Sequence, residues 1–142
     1  MKTNLAITFL VLCGLLLHAR PLARAGDTPE QAAGAAGAAW LALVDQGRYA
    51  ESWKEAAPYF RNAVPEAQWV QSLTAVRQPL GKVLSRKQES ARYATALPGA
   101  PDGEYVILVF HTSFENKRTA VETVTPMRGQ DGKWQVSGYY IK

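Results

Sequence analysis

The hydrophobic positions of the chain repeat at helical spacing in the first half and at strand spacing in the second half. Thr28, Pro29 and Gln31 form a helix-start pattern, because the threonine can cap the helix and the glutamine can reach back to the cap residue. The helix is predicted to run to about Gln46, where Gly47 supplies a stop signal. The first half therefore begins with one long helix.

Two shorter helices are predicted next. A helix over 49–57 ends at Pro58, and a third helix begins at Pro65 and ends before Pro79. The apolar residues that share one face are Tyr49, Trp53 and Ala56 in the second helix, and Trp69, Leu73 and Val76 in the third. Stripes of this kind are typical of a protein core.

Small residues line the first predicted helix. Gly34, Gly37 and the alanines around them form a surface that lets another element approach closely. A phosphate-binding glycine loop is disfavoured, because no strand precedes these residues and the glycine spacing is incomplete.

The second half has the alternation and β-branched content of strands. Clusters of turn residues separate four predicted strands, at 83–96, 104–114, 118–127 and 134–141. Short turns join neighbouring antiparallel strands, so the sheet is predicted to be a meander. Helices followed by a meander define a two-layer α+β domain, with three helices packed on one face of a four-stranded sheet.

The second predicted strand is apolar at odd and at even positions, that is, on both of its faces. One face carries Val106, Leu108, Phe110 and Phe114, and the other carries Tyr105, Ile107 and Val109. Such a strand is predicted to lie in the middle of the sheet, or to meet something besides the helices. A homodimer partner or a bound apolar ligand would satisfy the second condition.

Residues 1–25 are predicted to be a secretory signal peptide, which leaves 26–142 as a single domain. Lys2 precedes an apolar run from Leu5 to Leu17, and the small residues of the Ala23-Arg24-Ala25 segment predict cleavage between Ala25 and Gly26. The run is shorter than the roughly 20 residues that span a membrane. We therefore expect a periplasmic or secreted protein that meets the membrane only before cleavage.

Cleavage would change the charge and the thiol content. It leaves 13 basic and 12 acidic side chains and removes Cys13, the only cysteine. Arg86-Lys87 and Lys117-Arg118 are isolated basic pairs, interpreted as solvated strand and turn residues rather than as a nucleic-acid surface. Disulfides, cysteine-based chemistry and nucleic-acid binding are thus not expected.

Two residues are candidates for acid–base chemistry. His111 lies in the most apolar strand and is a candidate general base, although a structural or surface histidine is the favoured interpretation. Glu122 would be a perturbed acid or base if it faced inward, whereas the favoured interpretation places it on the open face or in an ion pair with Arg77 or Lys117. No metal site, cofactor or catalytic set is predicted. The candidate binding residues are Tyr49, Trp53, Trp69, Arg77, His111, Glu122 and Tyr140.

The sequence resembles the family of small exported bacterial proteins called domain of unknown function 4019. The resemblance covers nearly all of 26–142, and no single motif carries it. The residues that carry it include Trp40, Gly47, Tyr49 and Trp53, the segments 77–81, 97–105 and 110–114, and the segments 122–125 and 132–141. The resemblance implies an α+β fold, cystatin-like or nuclear-transport-factor-like, and an exported location, and it brings no catalytic residues.

Three functions remain open. The preferred hypothesis is a non-catalytic exported domain that binds a small apolar ligand or an envelope protein. The alternative is a pocket enzyme, of isomerase or hydratase type, that uses His111 or Glu122 with Tyr49, Tyr59 or Tyr140 as hydrogen-bond donors. A third hypothesis is a structural role in which the N-terminal segment is kept as an anchor.

Overall fold

The computed structural model describes residues 26–142, and the predicted signal peptide at 1–25 lies outside the described residues. Four α-helices come first, followed by a short 3₁₀ turn and four strands. The helices are α1 (Pro29–Asp45), α2 (Tyr49–Glu55), α3 (Pro58–Ala63) and α4 (Glu66–Arg77), and the 3₁₀ turn is Gln78–Leu80. The strands are β1 (Val83–Ala94), β2 (Tyr105–Phe114), β3 (Lys117–Arg128) and β4 (Trp134–Ile141).

Helix α1 begins at the predicted capping box. The backbone N–H of Gln31 donates to Thr28 Oγ1 at 3.3 Å, and the backbone N–H of Thr28 donates to Gln31 Oε1 at 2.9 Å. At the other end, Gly47 adopts a φ of 72°, a conformation that glycine reaches without strain. Both ends of the first predicted helix are therefore confirmed.

The helical half has one more helix than the three that the sequence predicts. Helix α2 ends at Glu55, and Pro58 opens α3. Proline suits the first position of a helix, since its missing N–H would have no partner there. The extended linker between the helices is fixed by the backbone N–H of Ala57, which donates to the carbonyl of Val136 at 2.8 Å.

The four strands form one antiparallel sheet in the order β1-β2-β3-β4, as the meander predicts. Strand β2 lies inside the sheet, which is the position that its two apolar faces predict. Helices followed by this meander confirm the α+β class. The helices cover one face of the sheet, which we call the inner face, and we call the opposite face the outer face.

Helix α1 packs across the inner face at its small residues. A Cβ placed on Gly37 would lie 2.5 Å from Cδ1 of Leu108, closer than real side chains approach, so the buried Leu108 side chain would have to shift to admit it. At Gly34 the nearest atom is Gln88 Oε1, at an ordinary 3.7 Å. The close approach predicted for this surface is therefore confirmed at Gly37.

The core lies between the helices and the inner face. Trp40 and Trp69 are buried in it with their ring centroids 6.1 Å apart, and each finds a hydrogen-bond acceptor on Ser52. The other buried members are Ala33, Leu41, Val44, Leu73, Val106, Leu108, Phe110, Val124 and Val136. Aromatic and aliphatic side chains thus pack together between the helices and the inner face.

Candidate functional site

Six polar side chains meet where the C-terminal ends of α1 and α4 reach the inner face of the sheet. We call them the polar cluster; they are Asp45, Arg77, Arg86, Thr112, Glu122 and Tyr139. Each of the four strands contributes one member, because Arg86, Thr112, Glu122 and Tyr139 lie on β1, β2, β3 and β4. The cluster therefore links both helix ends to the whole width of the sheet.

Glu122 is the centre of the cluster and is fully buried. Its Oε1 accepts from Arg86 Nε at 2.8 Å and from Thr112 Oγ1 at 2.6 Å. Its Oε2 accepts from the hydroxyl of Tyr139 at 2.5 Å and lies 4.0 Å from Arg77 Nη1. A buried carboxylate needs such partners, because charge without compensation is costly to remove from water.

Asp45 closes the cluster on the helix side. It accepts from both outer nitrogens of Arg86, at 2.6 and 2.9 Å, and from Arg77 Nη2 at 2.9 Å. Burial by itself would raise the pKa of Asp45, but the hydrogen bonds from the two arginines outweigh it and the pKa is lowered. Asp45 is therefore an anion that holds the two guanidinium groups together.

The two arginines are enclosed to different degrees. Arg77 is 5% exposed and lies over the ring of Phe114, with 5.0 Å between its Cζ and the ring centroid. Its Nε is buried and has no hydrogen-bond partner among residues 26–142. Burial alone would lower the pKa of Arg86, but hydrogen bonds to Asp45 and Glu122 raise it. Both guanidinium groups thus stay charged.

Tyr139 joins the cluster to the aromatic core. Its ring meets Trp40 edge-on at 5.3 Å between centroids, and its hydroxyl lies 3.3 Å from Arg77 Nη1. Burial and the neighbouring Glu122 carboxylate raise the pKa of the Tyr139 hydroxyl. The tyrosine therefore keeps its proton and donates it in the hydrogen bond to Glu122.

The contacts of the polar cluster suit a role in holding the helices and the sheet together. The donors around Glu122 occupy both of its oxygens, and Glu122 lines neither the shallow depression at Tyr49 nor the one at Lys87 and His111. A general base needs a free lone pair within reach of substrate. The arrangement fits an internal clamp better than an acid–base site.

The outer face of the sheet is a second candidate site, and its composition follows from the register. Neighbouring strands place side chains in rows across this face. The first row is Lys87, His111, Val121 and Lys142; the second is Ser90, Val109, Thr123 and Tyr140; the third is Arg92, Ile107, Thr125 and Gly138. The middle strands are mainly apolar or threonine, and the basic residues stand on the edge strands and at the chain end.

The helices leave the outer face uncovered, and exposure within its rows ranges from exposed side chains at the edges to Thr123 in the middle, which is 8% exposed. Tyr140 is 52% exposed, and Ile107 and Val109 are only partly buried. His111 is also exposed and lies 2.9 Å from the carboxylate of Glu89. At one end the β1–β2 loop covers Tyr105, whose hydroxyl donates to the carbonyl of Pro101 at 2.6 Å.

The structure does not bring the predicted candidate residues together. Arg77 and Glu122 meet in the polar cluster, whereas His111 and Tyr140 lie on the outer face, on the other side of the sheet. Trp53 and Trp69 belong to the helical layer, and their ring N–H groups donate to Val64 and Ser52. A single pocket built from all these residues is therefore not observed.

The tyrosines proposed as donors also lie elsewhere. Tyr49 lines a shallow depression between α2 and α4 with Arg48, Glu51 and Val70. Tyr59 is exposed, and its hydroxyl donates to the carbonyl of Gly99 at 3.1 Å. The tyrosine beside Glu122 is Tyr139, one position before the predicted Tyr140.

The prediction for Arg86 is wrong. It was predicted to be a solvated strand residue, but only 16% of its side chain is exposed and it bonds to both carboxylates of the cluster. Glu122 takes the inward position and pairs with arginine, while Lys117 lies exposed at the β2–β3 turn. In the sequence, the inward position of Glu122 is indicated only by its spacing of two residues from the apolar residues Ala120 and Val124, because alternate residues of a strand share a face.

Two further findings concern residues 26–142 alone. No group of three or more histidine, cysteine or acidic residues in this range is placed to hold a metal ion. Within the same range, no helix is both long enough and apolar enough to cross a membrane.

These features define a small α+β domain with a closed polar cluster on one side of its sheet and an open face on the other. The chain belongs to the family described as protein of unknown function (DUF4019), whose model matches residues 36–139. The resemblance found in the sequence is thereby confirmed. No curated protein and no solved structure matches the chain.

Proposed function

We propose that this protein is a non-catalytic binding domain that docks a protein partner on the outer face of its sheet. The observation that carries the proposal is strand β2, which is apolar on both faces although the helices cover only one of them. Ile107 and Val109 point away from the core and stay partly exposed beside Tyr140. Apolar side chains grouped on an open sheet face are typical of interaction surfaces.

A protein partner is better supported than a small apolar ligand. Ligand sites are concave and enclose most of the ligand, whereas the space between helices and sheet is filled by packed side chains such as Trp40, Trp69 and Phe110. The outer face is a broad surface, which suits a second protein rather than a small molecule.

The enzymatic alternative has less support. Glu122 lies inward beside a tyrosine hydroxyl, as that hypothesis requires, but three donors, from Arg86, Thr112 and Tyr139, hydrogen-bond to its oxygens. His111 lies on the opposite side of the sheet, where more than half of its side chain is exposed and it pairs with Glu89 at 2.9 Å instead of lying in an enclosed pocket.

We propose an exported location, in the periplasm or outside the cell, where the partner would be an envelope protein. The support comes from the charge, apolar run and cleavage pattern of residues 1–25 and from the family resemblance.

Photocrosslinking tests the docking surface. Tyr140 and Tyr59 are both exposed tyrosines, on the outer face and on the helical side. Each is replaced by benzoylphenylalanine in the full-length chain, which is then irradiated in cells. We expect a discrete crosslinked product from position 140. The partner identified in that product, when purified on its own, should bind the unmodified chain and should bind the Val109→Asp variant more weakly.

Three outcomes would contradict the proposal. Crosslinking from position 59 with none from position 140 would move the surface to the helices. A product from position 140 that contains only two copies of this chain would indicate a homodimer. A purified partner that binds Val109→Asp as well as the unmodified chain would show that the crosslink came from proximity alone. Circular dichroism of Val109→Asp checks that the variant is folded.

A further inference from the structure

We infer that the partner docked on the outer face contributes an acidic segment, whose carboxylates lie over the basic edge of this face. The inference rests on the proposed function, since it assigns chemistry to the same surface. Three observations support the inference: the face carries basic residues, these residues form no ion pairs within 26–142, and other occupants fit the face less well.

The outer face concentrates positive charge. Lys87, Arg92 and Lys142 belong to its rows, and Arg118 lines a shallow depression with Lys87 and His111. None of these lysines or arginines forms an ion pair within residues 26–142. The acidic group beside the face is Glu89, which is engaged by His111 at 2.9 Å.

The rest of the molecule does not share this excess. Residues 26–142 hold 13 basic and 12 acidic side chains, and the helical half at 26–80 holds four basic and six acidic ones. The basic surplus of the sheet half is therefore not a property of the whole chain. Complementary charge at an interface favours encounter with the correct partner and repels incorrect ones.

The depression offers groups that recognise a carboxylate. The hydroxyl-bearing residues Ser85, Ser113 and Thr119 line it together with Lys87 and Arg118. Hydroxyl and ammonium or guanidinium groups all donate to a carboxylate, and charge-assisted hydrogen bonds are stronger than neutral ones. The neighbouring apolar row around Val109 would meet apolar side chains of the same segment.

Two other occupants fit this face less well. A second copy related by two-fold symmetry would bring the same basic face against itself, and like charges in an interface are repulsive. A membrane surface is bound by large aromatic or leucine side chains that enter the lipid. Trp40 and Trp69 are instead in the core, and Trp53 and Trp134 pack against it. The three rows of the outer face contain no tryptophan, phenylalanine or leucine, and the large aromatic side chain that they expose is Tyr140.

Selection from a random peptide library tests the inference. The protein, produced from the full-length chain, is used to select surface-displayed peptides of about 12 residues, enough for an extended segment to cross the sheet. We expect the selected peptides to be richer in Asp and Glu than the starting library. Their affinity should fall by at least about tenfold for the double variant Lys87→Glu, Arg118→Glu, and also on raising NaCl from about 50 to about 300 mM.

A matched control separates local charge from net charge. Lys54 and Lys133 are exposed and lie outside the three rows, so the double variant Lys54→Glu, Lys133→Glu has the same net charge as the test variant. We expect it to retain affinity within about twofold, the size of effect expected for charges outside an interface. Equal losses in both double variants would overturn the inference, because affinity would then follow net charge alone.

The other outcomes distinguish the inference from the proposed function. Selected peptides without acidic enrichment whose binding is lost in Val109→Asp overturn the inference and leave the proposed function standing. Peptides that bind every outer-face variant equally, or a selection without any binder to this face, contradict both. Flotation with vesicles of phosphatidylglycerol and phosphatidylcholine that is lost in Lys87→Glu, Arg118→Glu would assign the face to lipid and overturn the inference.

Discussion

Arg86 on β1 and Glu122 on β3 form an ion pair across the intervening strand, with 2.8 Å between Nε and Oε1. Thr112 of β2 lies between them and donates to the same carboxylate oxygen at 2.6 Å. Because the contact joins two strands that are not neighbours, it fixes the three strands laterally. Asp45 then bonds to the same arginine, so the pair also fastens α1 to the sheet.

Replacing Glu122 with glutamine should destabilise the protein strongly. The change removes the charge that compensates Arg86 and Arg77 inside the protein, and breaking a buried ion pair costs about 3–5 kcal/mol. Asp45 still compensates both arginines, so we expect a loss of about 3 kcal/mol in the free energy of unfolding, at the lower end of that range. Urea denaturation followed by circular dichroism measures it.

The control for this variant is Glu89→Gln. Glu89 pairs with His111, but more than half of each side chain is exposed. Exposed pairs contribute roughly 0–1 kcal/mol, so this variant should stay close to the unmodified chain. A similar small loss for Glu122→Gln would contradict the clamp role of the polar cluster.

Alanine substitutions at two glycines of α1 should have opposite effects. Alanine favours a helix interior by about 1 kcal/mol over glycine. At Gly37 the new methyl group would meet Leu108, which is fully buried and has little room to move, and overpacking costs about 1–3 kcal/mol. We therefore expect Gly37→Ala to lower the melting temperature.

Gly34→Ala is the matched test of helix propensity alone. Its Cβ would make an ordinary contact at 3.7 Å with the side chain of Gln88, so this variant should raise the melting temperature. Stabilisation by both substitutions, measured by differential scanning calorimetry, would show that α1 does not need glycine to approach β2.

The fold was largely predictable because it depends on local patterns. Turn residues between strands imply antiparallel neighbours, and the Thr28–Gln31 capping box marks a helix start without knowledge of the rest of the chain. Helix α3 was not predicted, because Pro58 is compatible both with ending one helix and with opening another. Only the tertiary hydrogen bond of Ala57 to β4 fixes the short linker between them.

The polar cluster was predictable only in part, since its contacts join residues far apart in sequence. Arg77 and Glu122 were recognised as one of two ion-pair options, but Arg86 was not, because a charged residue in an edge strand normally faces water. Tyr139 differs from the predicted Tyr140 by one position. Successive strand residues point to opposite faces, so that single step moves the side chain from the outer face to the core.

Stability should decrease as the pH rises above about 10, the ordinary pKa of a tyrosine. Burial and Glu122 raise the pKa of Tyr139 in the folded protein. Above that pH the unfolded chain releases a proton that the folded chain keeps, so the unfolded state is favoured. Tyr139→Phe should show a shallower decline in the free energy of unfolding between about pH 10 and 12. Equal slopes in urea titrations of the two proteins would contradict a buried, protonated Tyr139.

Export should remove the first 25 residues. Signal peptidase requires small residues at the first and third positions before the cut, which Ala25 and Ala23 provide. The intact mass of the protein recovered from the periplasm or the medium should therefore correspond to a chain that begins at Gly26. Ala25→Leu should block cleavage and leave the chain attached to the membrane fraction, while Ala39→Leu, at an exposed position of α1, should be processed normally. If the mass of the unmodified protein still includes Met1 or Lys2, the N-terminal segment is kept, which favours the hypothesis that it anchors the protein. The outer face of the sheet would then meet partners close to the membrane.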